Sequence, residues 1–81
     1  MDSVEAFEMF CDTTSDVLDV DSADIVREAL FKEDLDVDSL GFIELMLALE
    51  ETFDIKIPEP APEQVETVGA AFDYVLSILG L

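Results

Sequence analysis

Between Asp38 and Phe53 the apolar residues recur as a helix uses them. Phe42, Leu45, Met46, Leu49 and Phe53 fall at i, i+3, i+4, i+7 and i+11, one side of a helix turned at ~100° per residue, and such a stripe requires a hydrophobic layer to pack against. The opposite side departs from the usual polar face. Leu40, Ile43 and Leu47 stand there among Glu44, Glu50 and Glu51, all six within about 120° of arc. Large apolar groups set among carboxylates on a face that should be solvated read as a partner-binding surface. The competing reading is that the segment before the helix folds over Leu40, Ile43 and Leu47 and makes them core.

The beginning of this helix carries a second signal. Asp38 suits the N-cap, where a side-chain oxygen accepts from backbone N–H groups that have no intrahelical partner, and this leaves Ser39 at the first helical position with its hydroxyl free. A phosphate carried on that hydroxyl would meet unpaired N–H groups and the positive end of the helix dipole, where an anion is stabilised.

The flanking chain supplies the packing layer. Asp2 with Glu5 three residues on forms a capping box, and Val4, Phe7, Phe10, Cys11, Thr14, Val17 and Leu18 follow at helical spacing, so a first helix is expected over about 3–18. Thr14, facing the core, can return its hydroxyl to the Phe10 carbonyl. Cys11 reads as a small buried apolar group, without a basic neighbour in the sequence to activate it. From Asp19 to Val37 the apolar residues are irregularly spaced and interrupted by acids, which predicts a long loop. So long a loop should contain a short helical turn, placed at Ala23 to Phe31 with Ser22 as its cap. After Phe53 the Pro58-Glu59-Pro60-Ala61-Pro62 run cannot continue a helix and is expected to be a rigid linker. Pro62 then opens a short third helix, Glu63 to Glu66, and Thr67 caps a last helix in which Val68, Ala71, Phe72, Val75 and Leu79 face the core and Gly80 ends it. No stretch alternates with a period of two. The expected fold is all-α, a small bundle of three main helices and one short one with a long loop between the first two, in a single domain over 1–81.

Composition narrows the function. With 21 Asp and Glu against 3 Lys and Arg, the net charge of −18 argues against nucleic acid and anionic membranes and for partners bearing basic patches. Histidine is absent, so Ser39 has no imidazole base for nucleophilic catalysis and a zinc site lacks its usual ligands. No catalytic residues and no metal site are assigned. A calcium loop starting at Asp34 fails where it matters, with Ser39 in place of the turn glycine and Leu45 in place of the bidentate glutamate. One cysteine, no signal-peptide pattern and no long apolar run point to a cytosolic protein.

Leu35-Asp36-Val37-Asp38-Ser39-Leu40, followed by Glu44-Leu45, Leu49-Glu50-Glu51 and Phe53, resembles the prosthetic-group helix of acyl carrier proteins. The resemblance extends through Ile57-Pro58, the segment from Glu63 to Thr67, and Val68 to Val75 with its Asp73-Tyr74 pair. It implies a non-catalytic monomeric carrier whose Ser39, beside the cap Asp38, holds 4′-phosphopantetheine placed there by a phosphopantetheinyl transferase. The arm would bear acyl intermediates as thioesters and deliver them to ketosynthase, acyltransferase or acyl ligase enzymes docking on Leu40, Ile43, Glu44, Leu47, Glu50 and Glu51. It also implies that apolar side chains including Leu49, Phe53, Val65, Val68 and Phe72 could part around the cargo. Departures from the family pattern are Thr13 and Thr14 in place of bulky aliphatics, Gly41 after the D-S-L triplet, and the bulky Phe42. The threonines imply a slightly more polar interior, less suited to a long alkyl chain, and Gly41 and Phe42 favour polyketide or specialised fatty-acid synthesis. Two other readings use the same residues: an acidic helical adaptor in which Ser39 merely starts a helix, and a peptidyl carrier, which typically has glycines before the serine where this chain has Asp36-Val37-Asp38.

Overall fold

A computed structural model of the chain describes residues 2–57 and 65–81. Three α-helices make up its frame: α1 (Ser3–Leu18), α2 (Ser39–Phe53) and α3 (Val68–Leu79). Each starts on a residue that supplies an acceptor for its free N–H groups. Asp2 accepts from the Glu5 N–H at 2.8 Å, Asp38 from Gly41 at 2.7 Å and Thr67 from Ala70 at 3.1 Å. All three end on a residue in the left-handed region. Gly80 (φ 81°) adopts it without strain, whereas Asp19 (φ 54°) and Asp54 (φ 53°) carry a side chain there. The class is all-α, as the periodicity predicts, with no β-strand among the described residues.

The core forms where the three helical stripes meet. α2 buries the five residues expected of it, Phe42, Leu45, Met46, Leu49 and Phe53, and α3 buries Val68, Ala71, Phe72 and Val75. On α1 the buried line is Ala6, Phe10 and Thr14. Val4, expected in the core, is exposed, because it lies about 160° round the helix from Ala6 at ~100° per residue. Thr14 does return its hydroxyl to the Phe10 carbonyl, at 2.8 Å. Phe72 meets Phe7 and Phe10 edge-on, with ring centroids 4.9 and 5.5 Å away, a preferred aromatic geometry that ties α3 to α1.

The connection from Asp19 to Val37 corrects one expectation. Its only helical piece among the described residues is a 3₁₀ turn at Ser22–Asp24, not a helix from Ala23 to Phe31, and Ser22 lies inside that turn and does not cap it. The backbone from Ala29 to Phe31 instead pairs with the segment entering α3. Leu30 and Thr67 form an antiparallel bridge, Phe31 N–H donates to Glu66 O at 3.0 Å and Val68 N–H to Ala29 O at 2.9 Å. A helix would have consumed those same backbone groups. The segment nonetheless contributes four core residues, Ile25, Ala29, Phe31 and Leu35. The same pairing corrects the end of the expected short third helix, since Val65 and Glu66 are not helical. The remainder of that helix, Glu63 and Gln64, and the expected Pro58–Pro62 linker lie outside the described residues.

Candidate functional site

The site is built at the start of α2 from two chain segments held there by backbone bonds. Val37, two residues before Ser39, donates its N–H to the Phe31 carbonyl at 2.8 Å, and the Asp34 carboxylate accepts from Leu30 N–H at 2.8 Å. Asp36 takes a positive φ of 55° and so turns the chain into the cap. Two carboxylates of the acidic run, Asp34 and Asp38, are thus spent on backbone N–H groups. Gly41 lets the cap close: a Cβ there would stand 3.2 Å from Asp38 Oδ1 and 3.4 Å from Val37 Cγ1. A larger residue would press on the cap.

Ser39 occupies the first helical position and is exposed. Its hydroxyl makes no hydrogen bond to another described residue. Beside it opens a groove of about 540 Å³. Leu30, Phe31, Val37, Phe42 and Val65 form its apolar lining, and Lys32, Glu33, Asp38 and Glu66 join Ser39 as its polar lining. The Phe31 and Phe42 rings meet edge to face in its wall, with centroids 5.9 Å apart and planes at 78°. Of Leu49, Phe53, Val65, Val68 and Phe72, expected to part around a cargo, all are buried and Val65 alone lines this groove.

The outer face of α2 is open. Leu40, Ile43 and Leu47 are 64%, 56% and 58% exposed, so the preceding segment does not cover them and the reading that made them core fails. Glu44 and Glu51 are exposed around them, while Glu50 is half-buried. The face therefore offers three apolar side chains with two freely accessible carboxylates at the rim. Cys11 is half-buried, not fully buried as expected, with its Sγ 4.0 Å from the Ile25 carbonyl. Burial, and secondly the Asp12 carboxylate, push its thiol pKa up, which makes it a poor nucleophile at neutral pH.

Ser39, Asp38 and the outer face of α2 stand out in the local sequence, whereas the groove does not. Phe31, Lys32, Glu33, Val65 and Glu66 come from segments without helical period, and only the Leu30–Thr67 pairing brings them together. Lys32, one of three basic residues in the chain, was the available signal. No helix among the described residues is long and apolar enough to cross a membrane.

Chemically, the arrangement presents an accessible hydroxyl at a helix start, with a groove at its side and an acidic-apolar face beyond. A family model described as "Phosphopantetheine attachment site" matches residues 1–75. The chain is 42% identical over 76 residues to an acyl carrier protein of Rubrobacter xylanophilus, covering 94% of each chain. It is 40% identical over 75 residues to an acyl carrier protein of Prochlorococcus marinus, covering 93% of this chain and 94% of the relative.

Proposed function

The chain belongs to the acyl carrier protein family, non-catalytic carriers of a 4′-phosphopantetheine group, and from that premise we propose that Ser39 is the residue bearing the group. The observation that carries this is its position: an exposed hydroxyl, without a partner among the described residues, at the first turn of α2. The residues around it fit a phosphate-linked arm. The first helical N–H groups lack intrahelical acceptors, Lys32 is the basic side chain on the groove, and the groove is lined by both apolar and polar groups. When bound, the group supplies a thiol on which acyl chains are held as thioesters. In loading, the Ser39 oxygen would form its bond to phosphorus as the diphosphate bond of coenzyme A breaks and adenosine 3′,5′-bisphosphate leaves. The hydroxyl proton would pass to a base of the transferase.

Phosphopantetheinyl transferase and acyl-handling enzymes of the ketosynthase, acyltransferase or acyl ligase type would use the outer face of α2. Leu40, Ile43 and Leu47 serve as apolar anchors, and Glu44 and Glu51, with the half-buried Glu50, steer basic patches toward them. We read 1–81 as one domain acting as a monomer in the cytosol; the lone half-buried thiol supports that location. Gly41 and Phe42 after the D-S-L triplet favour polyketide or specialised fatty-acid synthesis.

Intact-mass measurement after incubation with coenzyme A and a broad-specificity transferase tests the assignment. The wild-type chain should gain one phosphopantetheine and Ser39→Ala none. A gain in Ser39→Ala would overturn the choice of residue.

A further inference from the structure

We propose that the Phe31–Phe42 ring pair is a stop between the groove and the helical core, so that cargo stays in the groove and long straight alkyl chains gain no shelter among the helices. This rests on Ser39 as the attachment residue. Three side chains, Phe31, Phe42 and Val65, belong both to the groove lining and to the buried core, and they are the boundary a chain would have to cross. Phe31 and Phe42 are only 4% and 8% exposed, and each ring presents its edge or face to the other at 5.9 Å.

The stop is held on both sides. The Phe31 N–H is bonded to Glu66 ahead of α3, and its carbonyl accepts from Val37 ahead of α2. The Phe31 backbone therefore cannot shift without breaking bonds to two different segments at once, which leaves rotation of the ring against its packed neighbours as the way to open the boundary. Phe42 sits in the first turn of α2, where its own N–H is bonded to the Asp38 carbonyl. Behind the pair, Phe10, Leu45, Leu49, Val68, Val75 and Thr14 are each less than 2% exposed. Entry would require both a displaced ring and a displaced core side chain, and close-packed interiors resist such insertion. A short acyl group has too few methylenes to offset these losses. The cargo class that fits is accordingly short or polar, held against Leu30, Val37 and Val65 and the polar rim.

Acetyl and dodecanoyl thioester forms of the wild type, of Phe42→Ala and of Phe42→Leu, compared by methyl NMR, test this. In the wild type the methyls of Leu45, Leu49, Val68 and Val75 should keep the same shifts in both forms, while those of Leu30, Val37 and Val65 respond to loading. In the Phe42 variants the dodecanoyl form should shift the core methyls and melt at a higher temperature than the acetyl form. Phe42→Leu keeps most of the apolar volume should Phe42→Ala not fold. Core methyl shifts in dodecanoyl wild type, or none in the variants, would overturn the stop. If mass mapping places the arm elsewhere than Ser39, the attachment reading and the stop fall together; if it lies on Ser39 and the wild-type core responds, the stop alone falls.

Discussion

Gly69 donates its backbone N–H to the Arg27 carbonyl at 2.9 Å, so closely that a Cβ at position 69 would stand 3.1 Å from that oxygen and 3.2 Å from the Arg27 Cβ. The contact fastens the irregular connection to α3. From there the Arg27 guanidinium reaches Asp73, with Nη2 to carboxylate distances of 2.9 and 3.0 Å, and lies 6.0 Å from the Phe72 ring centroid. Gly69→Val should cost about 1–3 kcal/mol through overpacking. Asp73→Asn should cost under about 1 kcal/mol, because its ion pair is half exposed and screened by solvent. Urea unfolding of the two variants checks the order.

Charge and apolar contact on α2 should separate by experiment. Glu44→Lys with Glu51→Lys should slow transferase loading, more at low salt than at high, with the thermal melt at or above that of wild type, since like charges steer partners but repel one another within the fold. Leu47, 58% exposed, should change stability by no more than about 0.5 kcal/mol when cut to alanine, while transfer to partners weakens. Loss of folding in Leu47→Ala would mark the face as structural.

The buried Thr14 hydroxyl donates to a carbonyl, Phe10 O, 2.8 Å away, that is already the helical acceptor of the Thr14 N–H. Thr14→Val thus strands no acceptor and should remain within about 1 kcal/mol of wild type, whereas Thr14→Ser, which deletes a buried methyl, should lose about 0.5–1.5 kcal/mol. Calorimetry distinguishes the two.

Asp19 and Asp54 close α1 and α2 in the left-handed region, at φ 54° and 53°, and put a carboxylate at the negative end of each dipole. Asn accepts the same backbone geometry without the charge. Asp19→Asn and Asp54→Asn should each stabilise by about 0.3–1 kcal/mol at low ionic strength, a gain that thermal melts should show fading as salt is added.

Burial, and then the neighbouring Asp12, raise the Cys11 pKa. The folded chain therefore holds that proton to higher pH than the unfolded chain does. The resulting stability is fully present below the unfolded thiol's pKa and is lost as pH rises through the raised folded value. Wild type should lose stability relative to Cys11→Ala on the alkaline side, as read from urea midpoints against pH. Alkylation at neutral pH should be slower folded than unfolded.

The helices, their caps and the place of Ser39 at a helix start were legible because each is encoded over a few neighbouring residues. Asp2, Asp38 and Thr67 precede apolar stripes of helical period, and those caps and stripes reappear in the fold with α2 buried as read. The outer face of α2 was legible for the same reason, although its exposure needed the structure, since a covering loop and an open surface give one pattern. Where a residue's partner is distant the reading ran out. Val4 fits the α1 stripe by spacing, but the positions of α2 and α3 define which side of α1 is inside and leave Val4 exposed.

What the sequence alone determined is thus the local content: all-α class, the boundaries of the three main helices, a strongly acidic charge balance, and Ser39 at a helix start. Periodicity, capping and charge act within a turn or two of chain and need no knowledge of the rest. Tertiary structure decided the course of Asp19 to Val37 and the groove that depends on it. Leu30 pairs with Thr67, and Phe31 with Glu66 and Phe42, across intervals of sequence that no local preference spans. Backbone groups there could have closed a helix or paired with a distant segment. The choice fell to the pairing that also buries Ile25, Ala29, Phe31 and Leu35, because apolar burial against a formed core outweighs the weak propensity of a short helix.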